Sequence, residues 1–187
     1  MMETTDNEGW VSYLNAARRK VEIARYHLEQ LERLRLVPPL DGPRECPVPI
    51  QAHFEGVVIS VMAAVDQTAQ AINSALNLGA RESQLFDKAF GAVTAAVPAL
   101  KTWCGKPIGR DLRGVRRSAI HHSYEKTPDG PLPRWRVEES SVRYEGSREL
   151  RVYGEAAVAH AEELIRLIPA IQSELRRRLA ATCPGRD

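Results

Sequence analysis

Apolar residues recur every three or four positions through most of this chain, the spacing that places them on one face of an α-helix. In the first segment Trp10, Leu14, Ala17, Val21, Ala24, Leu28 and Leu31 step by four and three. Thr5-Asp6-Asn7-Glu8 has the form of a capping box, in which hydroxyl and carboxylate each satisfy an orphan backbone N–H. Pro38-Pro39 cannot continue a helix, so this one is expected to stop near Val37. Five prolines between positions 38 and 49 make a stiff connector. It is not a domain boundary, because the one helix before it cannot bury its own stripe. A second helix is expected from about Ile50 to Leu78, with Phe54, Val57, Val58, Val61, Met62, Val65, Ala69, Ile72 and Leu76 on a wide apolar face. Gly79 suits a left-handed cap after it. A third spans roughly Glu82 to Thr102, carrying Leu85, Phe86, Phe90, Val93, Val97 and Leu100, with Pro98 kinking its last turn. Gly105-Lys106-Pro107 breaks the chain before a fourth helix, about Asp111 to Lys126, which Thr127-Pro128-Asp129-Gly130 ends.

The period then changes. Arg134-Trp135-Arg136-Val137, Val142-Arg143-Tyr144-Glu145 and Leu150-Arg151-Val152-Tyr153 alternate apolar and polar residues, and Glu145-Gly146-Ser147-Arg148 reads as a turn. Alternation predicts a small β-hairpin or three-stranded insertion at about residues 133–153. A last helix follows from Glu155 to about Ala180, faced by Val158, Ala161, Leu164, Ile165, Ile168, Leu175 and Leu179 and bent at Pro169. The fold class is therefore mainly α: a single domain over residues 1–187, a four- to five-helix bundle with a β excursion before its final helix.

Composition narrows the function classes. A hydrophobic fraction of 43% with 27% charged residues excludes a wholly disordered chain. The longest nearly apolar run, residues 57–65, is far short of the ~20 residues a bilayer helix needs, so no membrane partner is expected. Met1-Met2-Glu3-Thr4-Thr5-Asp6 has neither the cationic nor the apolar region of a secretory signal. Cys46, Cys104 and Cys183 are odd in number and form no CxxC pair, which argues against a disulfide framework and fits the cytoplasm. There is no Glu-x-x-His, His-x-x-x-His or EF-hand loop, so neither a bundle-core metal nor a cofactor is expected. Gly105-Lys106-Pro107 is no P-loop, since no Ser or Thr follows the Lys, and no Gly-x-Ser-x-Gly elbow exists.

Net charge is only +2, yet Lys101, Lys106, Arg110, Arg113, Arg116 and Arg117 face a single acid, Asp111, across residues 101–117. A local excess of that size attracts phosphates, although a solvated helix face accounts for most isolated charge runs. Arg116-Arg117-Ser118-Ala119-Ile120-His121-His122-Ser123-Tyr124 follows directly. Histidine exchanges protons near neutral pH, arginine grips phosphate through a planar fork, and tyrosine can hydrogen-bond either. Metal-free RNA cleavage needs these parts: a base for the 2′-OH, an acid for the leaving 5′ oxygen and a cation for the phosphorane.

Residues Arg117 to Tyr124 fit R-x4-H-x-Y and resemble the HEPN superfamily, in particular the HEPN toxins paired with minimal nucleotidyltransferase antitoxins. The helical order resembles that family over most of the chain, while eight residues carry the specific signal. Ser118 stands where the family often has a strongly polar residue such as Asn, and the β excursion is additional. The resemblance implies a homodimer through the motif helix and a metal-independent ribonuclease acting as toxin or defence effector. It makes Arg117 the phosphate-binding arginine, His122 the general acid/base, and Tyr124 the tyrosine that a nucleotidyltransferase antitoxin modifies with AMP. Lys106, Arg110, Arg113 and Arg116 would then bind RNA.

Helical geometry leaves the acid/base assignment open. At 100° per residue, Arg117 and His122 point about 140° apart, whereas Arg117 and His121 are about 40° apart. A two-fold dimer could take Arg from one chain and His from either. Two other readings compete: a non-catalytic HEPN-like bundle that binds nucleic acid or a partner protein, and a helical ligand-binding regulator. His27, His53 and His160 have no partners at informative spacing and read as structural or surface residues.

Overall fold

The first apolar stripe builds helix α1, Gly9–Arg33, and the second builds α2, Val48–Leu76. A computed structural model describes residues 9–34, 48–80, 91, 93, 96–109, 112, 136–138, 141–144 and 148–182. On α1, Trp10, Leu14, Ala17, Val21, Ala24 and Leu31 are buried, as the four-three stepping requires. On α2, Phe54, Val57, Val58, Val61, Met62, Val65, Ala69 and Ile72 are buried, and they pack along α1. The α2 helix begins before Ile50 and takes Pro49 into its first turn, where a missing N–H costs nothing. The capping box at residues 5–8 and most of the proline-rich connector lie outside the described residues.

The cap of α2 differs from expectation. Asn77, not Gly79, is the first left-handed residue, with φ 46°, and Gly79 follows at φ 66°. The Leu78 N–H donates to Asn73 O at 3.1 Å and the Asn77 N–H to Ser74 O at 3.4 Å, the paired bonds of a Schellman motif. Asparagine tolerates this conformation among non-glycine residues. The Asn73 amide then clamps the departing chain: its Nδ2 donates to Ala80 O at 2.9 Å and its Oδ1 accepts the Ala80 N–H at 3.1 Å.

Pro98 does not kink a continuous helix either. Val97 is extended (φ −132°, ψ 93°) and a separate short helix, α3, runs Pro98–Cys104 with the proline in its first turn. Proline biases the residue before it away from helical geometry and is well placed to begin the next helix. Val93, Val97, Leu100 and Trp103 are buried; Leu85, Phe86 and Phe90 lie outside the described residues.

Beyond the fourth predicted helix, β1 (Arg136–Glu138), β2 (Ser141–Tyr144) and β3 (Arg148–Glu149) pair antiparallel in the order β1-β2-β3. Val137 stands opposite Val142, and Tyr144 opposite Arg148. The segment Leu150-Arg151-Val152-Tyr153, expected as strand, is instead the first turn of helix α4, Leu150–Thr182. Its alternation is also compatible with a helix. Tyr153 lies four residues before Ala157 and eight before Ala161, all three buried, while Val152 stays half-exposed. The Tyr153 ring meets Phe54 of α2 at a centroid distance of 5.8 Å. Helix α4 continues through Pro169 and buries Val158, Leu164, Ile168, Ile171 and Leu175. It packs on α1, α2, α3 and the strands β2 and β3.

The described residues are mainly helical, and the buried side chains of α1, α2, α3 and α4 join one hydrophobic cluster. Among the described residues, no helix is long and apolar enough to cross a membrane. Leu14 is fully buried on α1. Leu14→Ala should therefore lower unfolding stability by about 2–5 kcal/mol, read by urea denaturation, since it removes buried methyl groups and leaves a cavity. A loss under about 1 kcal/mol would contradict the packing of α1 described above.

Candidate functional site

The basic run singled out in the sequence starts inside α3 and crosses the turn after it. Lys101 and Lys106 are described and exposed. Arg110, Arg113, Arg116, Arg117, His121, His122 and Tyr124 lie outside the described residues, as does Trp135. Leu112, from the apolar stripe expected on that segment, is buried. The structure therefore describes the approach to the motif.

That approach is fastened to α4 by one compact cluster. Trp103 of α3 is stacked on His160 of α4, with ring centroids 3.9 Å apart and planes within 4°. The indole Nε1–H donates to the backbone carbonyl of His160 at 2.8 Å. Each partner thus fixes the other: the indole satisfies a polar N–H while its face covers the imidazole. Three residues on from Trp103, Lys106 reaches Glu163 of α4, Nζ to Oε2 at 2.5 Å. Glu163 lies one helical turn beyond His160, so stack and ion pair share one face of α4. Gly109 completes the cluster. A Cβ there would stand 3.0 Å from His160 Nε2 and 3.3 Å from Cys104 O, a space that suits glycine. Its N–H donates to Lys106 O at 3.1 Å.

The electrostatics follow from this packing. His160 is only 3% exposed, and neither ring nitrogen has a hydrogen-bond partner among the described residues. Burial lowers its pKa to about 4, against an opposing pull from Glu163, whose Oε2 lies 3.8 Å from Nδ1, and with a further push from Lys106. Hydrogen bonding to Lys106 holds the Glu163 carboxyl below its ordinary range. Lys106 was expected to meet RNA; its ammonium is already opposed by Glu163, which reduces the charge it offers a phosphate.

His27 and His53, which read from the sequence as structural or surface residues, face each other across α1 and α2, Nδ1 to Nδ1 at 3.0 Å. His160 likewise has a ring partner. Neither arrangement has a spacing in the chain, because each joins residues on different helices. Among the described residues, no group of three or more His, Cys, Asp or Glu could hold a metal ion.

The neutral state of His160 makes stability depend on pH. Its folded pKa is below the unfolded value of 6.5, so the full contribution is present above pH 6.5 and is lost as pH falls toward 4. The expected loss is about 3 kcal/mol over that window. Urea unfolding at pH 7.5, 6 and 4.5 should show it, and His160→Phe, which keeps an aromatic face against Trp103, should flatten the slope. An unchanged slope in the variant would refute this role for His160. No known protein-family model matches this chain, and no curated protein or solved structure matches it.

Proposed function

We propose that the protein is a HEPN-like, metal-independent RNA endonuclease acting as a homodimer, with Arg117, His122 and Tyr124 as its motif residues. The observation that carries this reading is the run Arg117-Ser118-Ala119-Ile120-His121-His122-Ser123-Tyr124 directly behind a basic cluster. The helical bundle is compatible with it, since the family is built of packed helices. Further support comes from the fastening of Trp103, Lys106 and Gly109 to α4. A catalytic segment has to be presented from a rigid base, and these contacts make one immediately ahead of the motif in the chain.

In this reading the arginines neutralise the phosphate, and an imidazole moves the proton between the 2′-OH and the leaving 5′ oxygen. One acid and one base are needed, and a two-fold dimer supplies a histidine from each chain. A toxin or defence role, with a nucleotidyltransferase antitoxin acting on Tyr124, belongs to the same proposal.

Incubation with bulk RNA in EDTA tests the chemistry. Cleavage should persist and leave a 2′,3′-cyclic phosphate; activity that disappears with chelator sinks the mechanism. His122→Ala should slow cleavage by about 10²–10⁴-fold with RNA affinity nearly intact, since an acid/base group acts in the transition state. Arg117→Ala should lose cleavage and some affinity, and His121→Ala should be milder. A severe loss at His121 with a mild one at His122 would reverse the assignment. Light scattering should report a dimer at micromolar concentration; a monomer would remove the shared site.

A further inference from the structure

Helix α1 brings His27 directly over Gly56 of α2. A Cβ at position 56 would fall 2.7 Å from the ring atoms Cγ, Cδ2 and Cε1 of His27, so only glycine leaves the ring this seat. Seated there, His27 presents Nδ1 to Nδ1 of His53 at 3.0 Å, with ring centroids 5.3 Å apart and planes 50° apart. Both rings are half-buried, so one side of the pair is held by the helices and the other meets solvent.

The geometry points to a transition-metal site at this pair: a divalent first-row ion, Ni²⁺, Cu²⁺ or Zn²⁺, held by Nδ1 of His27 and Nδ1 of His53. Water would fill the remaining coordination positions. With metal–nitrogen distances of ~2.0–2.1 Å, nitrogens 3.0 Å apart subtend about 91–97° at the ion. That angle suits two neighbouring positions of an octahedral or square-planar set, and a small opening brings it to tetrahedral.

Between two facing imidazole nitrogens there is room for one proton, which one ring donates and the other accepts. An ion takes the place of that proton and draws on both lone pairs, while the donor ring keeps its hydrogen by carrying it on Nε2. The pair contains no carboxylate, so it offers little to Ca²⁺ or Mg²⁺. Because the two ligands belong to different helices, the ion would cross-link the α1–α2 interface, and binding would appear as stability.

Thermal melting of the full chain in 1 mM NiCl2 or ZnCl2, at pH 7.5, tests this. The Tm should rise by about 4 °C or more over the metal-free protein, and 1 mM MgCl2 should leave it unchanged. Titration calorimetry should find an ion whose binding is lost in His27→Gln and in His53→Gln. Gly56→Ala keeps both ligands but displaces the His27 ring, so its metal-dependent rise should also vanish while its metal-free melt still reports a folded chain. The adjacent His121 and His122 are the competing ligands in this sequence. A rise that survives His27→Gln and disappears in His121→Gln/His122→Gln overturns the proposal, as does no rise in the parent protein. The experiment reads stability and binding without RNA, so its failure is separable from failure of the ribonuclease reading.

Discussion

Each of the long helices α1, α2 and α4 carries an apolar stripe that it cannot cover by itself, and the fold is the arrangement in which they cover one another. Trp10, Leu14 and Val21 on α1, Phe54, Val58 and Ile72 on α2, and Leu164, Ile168 and Leu175 on α4 belong to a single cluster. Burying each such side chain contributes roughly 1.5–3 kcal/mol, far more than any one surface ion pair. Arg25 with Glu162, at 2.8 Å between α1 and α4, is a half-exposed pair of that lesser kind. It adds preference for one alignment of helices already driven together by their apolar faces. The small residues Ala17, Ala24, Ala69, Ala157 and Ala161, all fully buried, let the backbones approach closely enough for the larger side chains to interlock.

What the chain disclosed in advance was what periodicity can carry. The buried faces of α1, α2 and α4 agree with the expected stripes almost residue for residue, because a 3.6-residue period is a one-dimensional signal. Helix ends were less legible. Asn77 takes the left-handed position that Gly79 was expected to fill, since a cap is chosen by whichever residue stands where the helical bonds run out. Leu150-Arg151-Val152-Tyr153 reads equally well with period two or as one helical turn, and packing of Tyr153 against Phe54 decides for the helix. Contacts between elements were not legible at all. Trp103 and His160 are 57 residues apart and His27 and His53 are 26 apart, so no local spacing could pair them. The motif from Arg117 to Tyr124 was visible as a string of residue types, a different kind of signal from a geometry.

Both polar features described between helices depend on the apolar framework. The imidazole of His160 stays neutral because Trp103 and its surroundings exclude water, and the His27 ring lies flat because α1 and α2 are held within reach of Gly56. In each case a glycine sits against a histidine ring, Gly109 against His160 and Gly56 against His27. A methyl group at either position would act on the imidazole without touching a charge.

The fastening of residues 103–109 to α4 also sets a boundary condition on the chain that follows. On one side of residues 110–135, Trp103 and Lys106 are tied to His160 and Glu163; on the other, β2 and β3 lie against α4 and lead directly into Leu150. Ten residues of helix separate Leu150 from His160, about 15 Å along the axis. Helix α4 is thus the common anchor of two stretches that lie far apart in the chain, residues 103–109 and the strands β2 and β3. Any rotation of α4 about its axis carries both along with it, a coupling that neither stretch could provide alone.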